Sequence, residues 1–96
     1  MKTIIISPFS RQLRNGENNP KNFPFWPDLI ELLRNDGIKT IQIGKGQEPT
    51  IWADEKVFDA SLKKLGELLH TTDGWISVDN FFPHLAMYHK KPGIVI

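Results

Sequence analysis

The residues with the clearest chemical potential lie near the end of the chain, in Val78-Asp79-Asn80-Phe81-Phe82-Pro83-His84. An acid and an amide precede a short helical pattern whose Pro83 suits a first turn, and the free N–H groups of such a turn can hold a phosphate. His84 would lie within that turn. The same residues admit a structural reading, in which Asp79 or Asn80 caps the helix and His84 packs under a loop. Spacing alone leaves both open. Two other polar segments follow apolar runs: the loop from Ser7 to Phe25, and Gly44-Lys45-Gly46-Gln47-Glu48. In the first, Ser10, Arg11 and Arg14 offer a hydroxyl and two guanidiniums, either as donors to phosphate oxygens or as solvated loop residues.

These segments need elements that bring them to one edge. Thr3 to Ser7 is short, nearly all β-branched and stopped by Pro8, as expected of a strand buried on both faces in a parallel sheet. Pro8 to Pro24 reads as a long irregular loop. A helix is predicted over Pro27 to Asn35, ended by Gly37, and a second strand over Lys39 to Ile43. Val57 and Phe58 mark a brief third strand. A helix follows with Leu62, Leu65, Leu68 and Leu69 on one face, capped by Ser61 or Asp59. Trp75 to Val78 is the next strand, Phe82 to His89 a short helix, and Gly93 to Ile96 the last strand. The alternation predicts one α/β domain over residues 1–96, a Rossmann-like open parallel sheet with helices on both faces. In such sheets ligands bind outside the carboxyl ends of the strands, where all three polar segments fall.

Composition narrows the partners. The 96 residues suit one domain, and 12 Lys plus Arg against 11 Asp plus Glu leave a net charge of +1, with no general attraction to nucleic acid or anionic membranes. Any anion site must be local. The chain has no cysteine, which excludes disulfides and thiolate metal sites and makes the reducing cytoplasm the expected location. No apolar run is long enough for a membrane span. His70, His84 and His89 lack zinc spacing, so no metal is expected. Trp26, Trp52 and Trp75 read as core or rim packing, and Gly44-Lys45-Gly46 is too short for a P-loop and reads as a turn.

The pattern Asp79-Asn80-x-x-x-His84-Leu85-Ala86, followed by a proline and an apolar strand, resembles the sugar-nucleotide-binding motif of glycosyltransferase family nine, the ADP-heptose:lipopolysaccharide heptosyltransferases. Asn-Pro-Lys-Asn-Phe-Pro-Phe-Trp-Pro, residues 19–27, looks like that family's lysine loop, which implies Lys21 beside a diphosphate. Ile-Gly-Lys-Gly-Gln-Glu, residues 43–48, looks like its ribose-binding segment, which implies Glu48 on the ribose hydroxyls. Together with the residue reading above, this makes Ser10, Arg11, Arg14, Lys21, Asn80, Phe81 and His84 the candidates to face the nucleotide phosphates, and Glu48 and Asp79 the sugar or ribose. The resemblance covers nearly the whole chain, as the C-terminal half of a two-domain GT-B fold. Phe81 stands where the family carries Gly, and the stretch between Lys21 and Trp26 is longer.

A nucleotide-diphosphate sugar is the implied substrate or ligand, with a lysine and a helix N-terminus in place of a metal cofactor. The acceptor and general base would come from a partner domain, since Asp79 and His84 are already assigned to the donor. Transfer by the isolated chain is not expected. The alternative is a non-catalytic module that sequesters or senses a nucleotide or an ADP-ribose-type signal. The last strand has no following helix to cover it, so either a homo-oligomer or a longer natural chain is expected.

Overall fold

A computed structural model describes residues 2–9, 25–46 and 48–96. Five strands, β1 (Thr3–Ser7), β2 (Lys39–Gly44), β3 (Glu55–Phe58), β4 (Gly74–Ser77) and β5 (Gly93–Val95), form one sheet in the order β3-β2-β1-β4-β5. All four pairings are parallel. This is the α/β Rossmann-like open sheet expected, with β1 in its centre. Alternate residues of β1 feed two cores, as a strand buried on both faces must.

Helices α1 (Trp26–Asn35), α2 (Leu62–Thr71) and α3 (Phe82–Tyr88) cover the two faces. Ile6, Ile76 and Val78 pack with Trp26 and Ile30 of α1, whereas Ile5, Ile43 and Trp75 pack with Leu65 and Leu69 of α2 and Phe82 and Ala86 of α3. Two helix ends have a clear local cause. Gly37, at φ 76°, closes α1 while Ile38 N–H bonds to the Leu33 carbonyl and Gly37 N–H to that of Arg34. Ser61 rather than Asp59 caps α2, its hydroxyl accepting from Lys64 N–H at 3.1 Å. Between α2 and α3, His89 Nδ1 and His70 Nε2 lie 3.2 Å apart, a contact that sequence spacing did not reveal.

The connection from β2 to β3 has no helix. Ile51 and Ala53 take its place, packing into the α1 core. Such a segment has unpaired backbone groups, and β2 supplies the partners from positions where an aliphatic would be usual. Buried Gln42 donates to the Pro49 carbonyl and accepts from Ile51 N–H, at 3.0 and 3.1 Å. Thr40 exchanges bonds with Asp54, which also pairs with Arg34 of α1 at 3.2 Å. The expected tryptophan packing holds for Trp26 and Trp75, but Trp52 is 66% exposed at φ 67°. Among the described residues no helix is long and apolar enough to cross a membrane.

Candidate functional site

A cleft of about 640 Å³ opens at the carboxyl edge of the sheet, a size ordinary for a small-molecule site. It is walled by the exits of four strands: Ser7 and Phe9 after β1, Gly44, Lys45 and Glu48 after β2, Asp59 and Ala60 after β3, and Asp79 to Phe81 after β4. Ile43, Val57 and Leu65 floor it with apolar surface. β1 and β4 are neighbours whose following helices lie on opposite faces, so the cleft sits at the switch point where such sheets bind ligands.

Glu48 is half-buried, and a side-chain carbon at Gly44 would collide with its carboxylate. Burial pushes its carboxyl above the usual range, although the Lys45 backbone N–H and ammonium pull the other way; the Asp59 charge adds to the rise. Glu48, Asp79, Asn80 and Phe81 thus share one cleft. Phe81 lines it with a ring 54% exposed, where a glycine would have left only backbone.

Asn80 has another task. Its Nδ2 donates to Ser7 Oγ at 2.9 Å and to the Phe9 carbonyl at 3.2 Å, and its Oδ1 accepts from Phe82 N–H at 2.8 Å. One side chain therefore ties the ends of β1 and β4 to the start of α3. Within the Asn80 to His84 turn, expected to offer free N–H groups to a phosphate, three positions have none to give. Phe82 N–H is held by Asn80, Pro83 has none, and His84 N–H bonds to the Phe81 carbonyl at 3.2 Å. The His84 side chain is exposed and is not among the residues lining the cleft.

Ser10, Arg11, Arg14 and Lys21 lie outside the described residues. The ends of their segment are fixed, because Trp26 Nε1 donates to the Pro8 carbonyl at 2.9 Å in a buried bond. The chain leaves β1 and enters α1 at one point, with Phe9 on the cleft wall. Two charged residues of the cleft lining were not assigned to the site in the sequence reading, Lys45 and Asp59. Asp59 could have been suspected as an acid placed directly after an apolar strand, at the ligand-binding edge. The described lining carries Lys45 against Glu48, Asp59 and Asp79, so it favours hydroxyl donors over anions. Among the described residues no group of three or more His, Asp or Glu is placed to hold a metal ion. No protein-family model, curated protein or solved structure matches this chain.

Proposed function

We propose that this chain is the donor-binding half of a glycosyltransferase-like protein of the reducing cytoplasm, taking a nucleotide-diphosphate sugar into the carboxyl-edge cleft. The observation that carries the reading is the joining of Glu48, Asp79 and the Phe81 ring around one cleft at the switch point of a parallel sheet. Carboxylates there accept from sugar and ribose hydroxyls, and the ring stacks on a planar or sugar face. With the described walls acidic, the diphosphate is left to Lys45 and to Arg11, Arg14 and Lys21 of the segment that starts beside Phe9. Transfer to an acceptor requires a base and an acceptor site from a partner domain or a second copy.

Calorimetry with ADP, GDP and UDP against their nucleosides tests this, and the diphosphates should bind at least about tenfold more tightly. Equal affinities would refute the diphosphate assignment. Lys21→Ala should weaken diphosphate binding by about 1.5 to 3 kcal/mol with little change in melting temperature. A large loss of stability would instead make Lys21 structural.

One observation favours a second reading, binding without turnover. The first-turn N–H groups of α3 are consumed within the protein, which removes one of the two leaving-group stabilisers expected of a metal-independent transferase. Release of free nucleoside diphosphate from a bound nucleotide sugar would exclude it.

A further inference from the structure

The nucleotide reading leaves Asp59 and the two glycines of the Gly44-Lys45-Gly46 turn without a role. Asp59 follows β3 at φ 58°, a left-handed conformation that Asp and Asn adopt more readily than other residues with a side chain. From there its N–H donates to the Gly44 carbonyl at 2.8 Å, and its Oδ1 accepts from Gly46 N–H at 3.2 Å. One residue thus holds both ends of the turn.

Glu48 is built onto the same turn. Its N–H donates to the Lys45 carbonyl at 3.0 Å, its carboxylate takes the Lys45 backbone N–H, and it rests where a Gly44 side chain would be. At Gly46 an added carbon would come within 2.9 Å of Asp59 Oδ2. Neither glycine has a positive φ. Each leaves room for a carboxylate that rests over it, and neither serves an unusual backbone conformation.

We propose that Asp59 is a positioning residue: by clamping both ends of the Gly44 to Gly46 turn it sets the Glu48 carboxylate in the cleft to accept from a ribose cis-diol, a role that rests on the nucleotide reading above. The charged groups around Glu48 are Lys45 and Asp59, with Asp79 elsewhere on the lining. Asp59 lies on the cleft wall, but its hydrogen bonds go to the turn that carries Glu48, so its removal should act through Glu48.

Two variants of the full chain separate its contributions. Asp59→Asn keeps the left-handed backbone and the acceptor for Gly46 but removes the charge, whereas Asp59→Gly keeps the backbone and removes the acceptor. Asp59→Ala would add strain and is avoided. The first readout needs no ligand: amide exchange at Gly46 and carboxyl titration of Glu48, both by NMR. Gly46 should stay protected in Asp59→Asn and exchange about tenfold faster in Asp59→Gly, and Glu48 should titrate at lower pH in Asp59→Asn. The second readout is calorimetry with ADP, GDP and UDP. Asp59→Asn should bind within about twofold of the native chain, while Asp59→Gly and Glu48→Gln each lose about tenfold and their double variant loses no more than Glu48→Gln. Unchanged Gly46 exchange and Glu48 titration in the Asp59 variants would overturn the proposal even if nucleotides bind, as would additive losses. If none of the nucleotides binds while the NMR coupling is intact, the nucleotide reading and its diol fall and the positioning of Glu48 by Asp59 stands.

Discussion

At the scale of single residues, Asn80 and Asp54 show how a polar side chain can be committed to the fold before any ligand arrives. Asn80 satisfies Ser7, Phe9 and Phe82 at once. Asn80→Ala should therefore cost about 2 to 3 kcal/mol in denaturant unfolding, because part-buried partners are left unpaired. A site that only contacted phosphate would lose affinity and keep its stability. Asp54 has its carboxyl held below the usual range, first by the Thr40 backbone N–H and then by Arg34. Its native pKa is the lower one, so its stabilisation is present above the unfolded value and lost as the pH falls through about 4 and below. Melting temperatures measured down that range should fall for the native chain and fall less steeply for Asp54→Asn. Parallel curves would mean the Thr40 and Arg34 bonds contribute nothing to folding.

Among the elements, the helix-free crossover from β2 to β3 explains both what the sequence disclosed and what it withheld. Strands β1 and β2 and helix α1 were legible because Thr3 to Ser7 is a β-branched run and Leu29, Ile30 and Leu33 recur at helical spacing before Gly37. Gln42 and Thr40 were legible only as strand residues. Nothing local says that they bond to Pro49, Ile51 and Asp54, since those partners belong to the tertiary fold. β3 was read short for a related reason: its first two residues, Glu55 and Lys56, are exposed and charged, so they carry no apolar signal. The cleft was half-legible. The segments that carry Glu48, Asp79 and Phe81 follow from the strand-end rule, but the occupied donors of α3 depend on where the Asn80 amide turns, which spacing does not encode. Gln42→Leu should destabilise the fold by about 1 to 3 kcal/mol, read by urea unfolding, as it strips the Ile51 N–H and Pro49 carbonyl of partners. Neutrality there would mean that water replaces the amide.

On the scale of the whole molecule, the two edges of the sheet differ. The β3 edge carries Glu55 and Lys56, and Glu55 pairs with Lys39 at 2.6 Å. At the other edge β5 is short, pinned by Trp75, whose indole N–H donates to the Lys91 carbonyl and whose ring lies where a Gly93 side chain would be. Ile94, Val95 and Ile96 are each about half exposed there, with no charge in the strand. An uncharged apolar edge invites pairing with another chain. Sedimentation should show association that rises with concentration, and Ile94→Lys should suppress it while changing folding stability by no more than about 0.5 kcal/mol. A monomer at every concentration would remove that expectation.

The central position of β1 also bears on how the chain is made. Of the five strands β1 is made before the other four, yet it pairs on one side with β2 and on the other with β4, and the Thr3 N–H bond to Asp73 spans 70 residues. At about 5 to 20 residues per second, Ile4, Ile5 and Ile6 wait roughly 4 to 14 seconds for their last partner strand to be synthesised. Through that interval β1 has β2 alone to pair with, and its other edge stays open. The pairing of β1 with β4 is non-local, and contacts of that kind slow folding more than helix formation does.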